Sequence, residues 1–144
     1  MATGASFSPH CVLAHARLAV MDPQHGQQPL SLPWQGHQVS IAYNGEVYNA
    51  PQLRGELEAL GFSFSSRCDT EVVLASYLAW GPDCARRLQG IFAFAIYDPA
   101  APRLLLCRDP FGVKPLFLTR WQAGWPSLGD QGPAPAARRA PRGG

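Results

Sequence analysis

The stretch Ile91-Phe92-Ala93-Phe94-Ala95-Ile96-Tyr97 is apolar at every position, so a strand built from it has two apolar faces and needs a layer on each side. Leading out of it, Asp98-Pro99 turns the chain into a second strand over residues 103–107. Leading in, residues 84–88 form a short helix. Asp69 reads as the N-cap of a longer one, with Val72, Val73, Leu74, Tyr77 and Leu78 as its buried stripe and Trp80-Gly81-Pro82 as its end. Another helix opens at Asn49 and Pro51, repeats Leu53, Leu57 and Leu60 at helical spacing, and stops at Gly61. Residues 38–43 alternate polar and apolar and read as a strand ending in the turn Asn44-Gly45. Residues 11–15 and 18–21 read as short strands with Arg17 between them, followed by a polar loop over 22–29. This order predicts an α/β (α+β) fold, two mostly antiparallel sheets with helices outside.

The 144 residues suit one domain and leave no room for a second large catalytic one. Hydrophobic residues make up 47% and charged ones 15%, a globular composition. Twelve Lys and Arg against ten Asp and Glu give a charge of +2, carried by Arg138, Arg139 and Arg142 against Asp130, so the body of the chain is neutral. That charge predicts neither a nucleic-acid partner nor a membrane surface. No window approaches the roughly 18 apolar residues of a membrane span. The four cysteines, Cys11, Cys68, Cys84 and Cys107, form no Cys-x-x-Cys pair, and no leader-like pattern opens the chain, so a reducing cytoplasm is expected. His10, His15, His25 and His37 lack metal-ligand spacing, and no metal is expected. Residues 124–144 hold nine Gly or Pro in 21 positions without helical or strand period, which predicts a disordered tail.

Polar residues gather where elements begin or end. His15-Ala16-Arg17-Leu18-Ala19-Val20, Asn44-Gly45-Glu46-Val47-Tyr48-Asn49 and Cys68-Asp69-Thr70-Glu71-Val72-Val73 are three such runs; Leu88 to Asp98 and Arg108-Asp109-Pro110-Phe111-Gly112-Val113-Lys114-Pro115-Leu116 follow. In this order and spacing, from about residue 11 to 118, the chain resembles the glutamine amidotransferase domain of asparagine synthetases. The resemblance implies an N-terminal-nucleophile hydrolase fold, a four-layer α/β/β/α sandwich, here incomplete, with residues 1–123 as a partial type-2 amidotransferase domain. It also implies L-glutamine as the partner, hydrolysis of its side-chain amide, and delivery of ammonia to an ATP-dependent synthetase domain that makes asparagine. Full-length members are expected to pair as homodimers. ATP and Mg belong to the synthetase domain, and no cofactor is expected in this chain.

Hydrolysis of an amide by a thiol passes through a tetrahedral oxyanion, which a side-chain amide and a backbone N–H can stabilise. The resemblance assigns that pair to Asn44 and Gly45; an Asn-Gly pair is equally the commonest tight hairpin signal. Free glutamine carries a carboxylate and an ammonium, so its pocket needs a fixed charge of each sign. Arg17 fits the carboxylate through two parallel hydrogen bonds, and Asp69 fits the ammonium, with Glu46 and the backbone around Leu18 and Val20 as further lining. From the residues alone, Arg17 reads better as a surface ion-pair partner and Asp69 as a plain helix cap. Arg108, Asp109 and Lys114 read as a solvated turn with a salt bridge, with no catalytic role.

Family enzymes use a cysteine directly after the initiator Met, with its α-amino group as general base. Position 2 here is Ala, and no other cysteine stands beside a free amine. The expectation is therefore a fragment of a glutamine-hydrolysing asparagine synthetase. The alternatives are a non-catalytic binding module that kept the glutamine pocket, or a non-functional gene product. A frameshift between about residues 118 and 124 would account for the composition of the tail, and the nucleotide sequence tests it.

Overall fold

Residues 2–7, 11–17, 27–120 and 126–129 are described by the structure, a computed structural model. The elements are β1 (Ala2–Phe7), β2 (Val12–Arg17), β3 (Leu30–Trp34), β4 (His37–Val47), α1 (Ala50–Ala59), α2 (Asp69–Trp80), a 3-10 helix (Gly81–Arg87), β5 (Gly90–Asp98), β6 (Arg103–Arg108), β7 (Phe117–Arg120) and β8 (Pro126–Gly129). The four-stranded sheet β3-β4-β5-β6 is antiparallel throughout, and β1-β2 and β7-β8 form two-stranded antiparallel pairs.

Strand β5 is the central element, and its sequence explains the layering. Residues 92–97 are all buried. Phe94 and Ile96 stand opposite Tyr43 and Ile41 of β4, and these four side chains share a core with Leu53 and Leu57 of α1 and Val72, Val73 and Leu74 of α2. On the other face Ala95 and Tyr97 pair with Ala42 and Ser40, and Leu13 of β2 packs over them. The Oγ atoms of Ser6 and Ser40 are 3.2 Å apart, which ties β1 to the same face. Helices, sheet and second sheet therefore stack in that order, with each fully buried Leu, Ile or Phe contributing roughly 1.5–3 kcal/mol.

Several boundaries differ from the sequence reading. Asn44-Gly45 is not a turn. It lies inside β4, with Asn44 opposite Ala93 and Gly45 opposite Phe92. The hairpin turn falls at Gln35-Gly36, both at positive φ (48° and 86°), which the two-residue link between β3 and β4 requires. Asn49 precedes α1 but makes no side-chain cap; its amide spans to the far side, donating to the Arg87 carbonyl (2.8 Å) and accepting from Gln89 N–H (2.9 Å). Leu60 follows the end of α1 and is exposed. The short third helix is a 3-10 helix.

Arg17 belongs to β2 rather than separating two strands, and the strand expected at 18–21 lies outside the described residues. Strand β1 had no sequence signal because Ala, Thr, Gly and Ser set no apolar period. Inside the segment expected to be a disordered tail, residues 126–129 form β8, with Leu128 opposite Leu118. Backbone pairing with a neighbouring strand needs no side-chain period, so composition could not show it. Residues 130–144 lie outside the described set.

Candidate functional site

Strand β4 outruns its neighbour. Its last partner on β3 is Ile41, opposite Leu30, while on β5 the pairing continues to Val47. Among the described residues, one edge of β4 from Tyr43 to Val47 has no strand beside it, and other groups meet its amides. Tyr43 N–H donates to Gln28 Oε1 (2.6 Å), and Val47 N–H donates to Asp69 Oδ2 (2.9 Å).

Gly45 lies between them. Its register partner Phe92 turns away: Phe92 N–H donates to Asp109 Oδ2 (3.3 Å), and its carbonyl accepts from Asp109 N–H (2.8 Å). By the alternation of an antiparallel ladder, the N–H of Gly45 must point, like those of Tyr43 and Val47, to the open edge. The residue has to be glycine. Its φ is 147°, and a Cβ there would meet the Ile91 carbonyl oxygen at 2.2 Å and Phe92 Cα at 2.6 Å. A backbone donor aimed out of a strand edge is what an oxyanion needs.

Three of the other expected site residues, Asn44, Glu46 and Asp69, lie on or beside this edge. Asn44 and Glu46 project to the face that carries Ala42, opposite the helix-facing Tyr43 and Val47. Asp69 is the first residue of α2 and not its cap; Cys68 holds that position. The Asp69 carboxylate instead reaches β4, where Oδ2 accepts from Val47 N–H and from Tyr43 O–H at 2.6 Å. Burial first, and then the Asp69 bond, push the Tyr43 phenol far above its ordinary pKa, so it stays a neutral donor.

Strand β1 runs from Ser6, beside Ser40, to Gly4, whose backbone lies against Gln28. Arg17 pairs with Ala2 in the β1–β2 ladder. The Arg17 side chain, Leu18 and Val20 lie outside the described residues. Gln28, Tyr43 and Val47 were not expected at the site, since nothing in a sequence says which strand edge is left open.

The glutamine amidotransferase domain family matches residues 2–130. The chain belongs to it. As an amidotransferase domain it is similar to asparagine synthetase [glutamine-hydrolyzing] 3 of Bacillus subtilis, at 47% identity over 111 residues, covering 77% of this chain and 18% of that protein. It is also similar to asparagine synthetase B [glutamine-hydrolyzing] of Escherichia coli, at 40% identity over 116 residues, covering 81% and 20%. Among solved structures, the glutamine phosphoribosylpyrophosphate amidotransferase of B. subtilis superposes with a TM-score of 0.66 at 24% identity over 81% of this chain and 27% of that one. The amidotransferase domain thus has the N-terminal-nucleophile hydrolase fold. The family match reaches further at both ends than the resemblance between residues 11 and 118, and passes the boundary placed at 123. The chain spans about a fifth of the length of these curated relatives.

Three thiols of the amidotransferase domain, those of Cys11, Cys84 and Cys107, pack against its hydrophobic clusters. Cys84 is fully buried, and its pKa is pushed up to about 12, mainly by burial. Burial also raises Cys107 and Cys11. Cys68 sits at the α2 N-cap. All four are free of disulfides. Among the described residues, no group of three His, Cys, Asp or Glu converges on a metal position, and no helix is long and apolar enough to cross a membrane.

The loop after β6 corrects another expectation. Asp109 is buried at 2% exposure and is not part of a solvated turn. Its Oδ1 accepts from Phe111 N–H (3.1 Å) and Val113 N–H (3.0 Å), and its Oδ2 from Lys114 N–H (3.0 Å) and Phe92 N–H. Arg108 donates to the Gly112 carbonyl at 2.8 Å instead of pairing with Asp109. The loop is a backbone clamp on β5, the strand that holds Gly45 in register.

Proposed function

We propose that this chain is the glutamine-binding domain of a glutamine-hydrolysing asparagine synthetase, whose reaction releases ammonia from L-glutamine for an ATP-dependent synthetase step. The observation that carries this reading is the open edge of β4, with Gly45 N–H aimed outward between a backbone amide and a carboxylate. In this reading the Asn44 amide and Gly45 N–H receive the oxyanion, Asp69 receives the α-ammonium, and Arg17 receives the α-carboxylate, with Glu46, Leu18 and Val20 lining the pocket. Fixed charges of both signs select a free amino acid over a peptide-linked glutamine. The relatives named above support the reading. ATP and Mg would serve the synthetase step and are assigned no residue here; a reducing cytoplasm suits four cysteines without disulfides.

A second reading, glutamine binding without hydrolysis by residues 1–144, is favoured by the thiols. Cys84 is buried with a raised pKa and is a poor nucleophile, and burial raises Cys107 and Cys11 as well. Titration of the 144-residue chain with L-glutamine, L-glutamate and L-leucine tests the shared core of both readings. Saturable binding that prefers glutamine is expected, and equal binding of leucine would overturn it. A coupled glutamate-release assay separates the two. No turnover above a blank is the expected result for the chain alone.

A further inference from the structure

Of the carboxylates that protein donors hold around α2 and the loop after β6, Asp109, Glu71 and Asp69, one is held differently. Asp109 carries two backbone N–H donors on each oxygen. Glu71 is as fully used: Oε1 accepts from Ser65 N–H (2.9 Å) and Oγ–H (3.1 Å), and Oε2 from Ser66 N–H (2.9 Å) and Oγ–H (2.7 Å). At Asp69 both donors, Tyr43 O–H and Val47 N–H, converge on Oδ2, and Oδ1 has no donor among the described residues. Asp69 is also only half-buried, whereas Asp109 and Glu71 are buried.

Two bonds to one oxygen fix where a carboxylate sits and how its plane is turned, and they leave the second oxygen to a further partner. Val47 N–H is part of β4 and comes with the strand. The Tyr43 hydroxyl is the adjustable element, reaching through the core from the helix-facing side of β4; the ring is 4% exposed. We propose that Tyr43 is a positioning residue for the α-ammonium group of glutamine, holding Asp69 so that Oδ1 is presented to the ligand. The inference rests on the assignment of Asp69 to the ammonium made under the proposed function. Tyr43 itself touches no ligand and acts through Asp69.

The test is a comparison of two ligands on the 144-residue chain, L-glutamine and its des-amino analogue 4-carbamoylbutanoate, read by isothermal titration or ligand-observed NMR. The analogue keeps the amide and the carboxylate and lacks only the ammonium. Wild-type chain should prefer glutamine, and Asp69→Asn should abolish the preference. Tyr43→Phe should weaken glutamine binding about fivefold, the size of one ordinary hydrogen bond because Val47 N–H still holds Asp69, and leave the analogue within about twofold. A Tyr43→Phe chain that keeps the wild-type preference, while Asp69→Asn loses it, overturns the role of Tyr43 and leaves the Asp69 assignment standing. Equal loss of both ligands in Tyr43→Phe also overturns it, because a purely structural hydroxyl would affect both alike. A wild-type chain without preference overturns the Asp69 assignment and this inference together.

Discussion

The loop around Asp109 and the edge of β4 beside Asp69 are built from the same parts, an acid and several backbone amides, and they do opposite work. At Asp109 the acid is fully used. Four N–H donors on two oxygens close a loop and clamp it to β5. At the β4 edge the pairing is left unfinished, with Gly45 N–H directed outward and one Asp69 oxygen without a donor among the described residues. Saturation makes a structural element, and incompleteness leaves hydrogen bonds for a ligand to make, because a ligand can gain only those the protein has not already made.

Removing a saturated acid should therefore cost stability, whereas changing the unsaturated one should cost recognition. The largest effect is expected from Asp109→Ala, which leaves four inward amides without an acceptor. Circular dichroism should show no cooperative thermal transition where wild type has one, and a wild-type transition would show that the loop is not the clamp described here. Next is Gly45→Ala, where a positive φ and contact with the Ile91 carbonyl should cost about 3–5 kcal/mol in denaturant unfolding. A loss below about 1 kcal/mol would mean that β4 and β5 can part locally, and the outward aim of Gly45 N–H would lose its support.

Glu71→Gln is smaller, about 2 kcal/mol, since an amide can accept only on one side of the Ser65-Ser66 turn. Its pH dependence sharpens the contrast. Burial alone raises a carboxyl pKa, but the Ser65 and Ser66 donors outweigh it and hold Glu71 below its ordinary value; the amides of Lys114, Val113, Phe92 and Phe111 do the same for Asp109. Below a pH of about 4.3 the unfolded carboxyls take up protons first, so acid favours unfolding. The contribution is complete above that pH and lost as pH falls through the folded values. The melting temperature of wild type should drop between about pH 4.5 and 3, and that of Glu71→Gln should drop less; parallel curves would assign the acid sensitivity elsewhere. The smallest stability effect, under about 1 kcal/mol, is expected for Asp69→Asn, whose side chain can still accept from Tyr43 and Val47. A loss as large as that of Glu71→Gln would place Asp69 among the structural acids.

How much of this was legible beforehand varies residue by residue. The double-faced apolar run at 91–97 required layers above and below, and the structure has both. Glu71 carried a readable sign, an acid at the third position of a helix preceded by serines, though its bonds run to the serines and not to the cap. Asp109 carried a misleading one, since charged residues around a Pro-Gly turn usually face water. The order of the five motifs pointed to the amidotransferase family before any contact was known.

The sequence by itself determined the layers, the helices and the residue types at the site, because these follow from apolar period, glycine and proline positions, and local charge. Only the tertiary structure decided that Asn44-Gly45 lies within a strand, that β3 stops short and leaves Tyr43 to Val47 with an open edge, and that Asp69 reaches β4 instead of capping its own helix. Those outcomes depend on strand register and on which neighbour ends first. Such properties arise from contacts between residues tens of positions apart, and no local pattern in the chain encodes them.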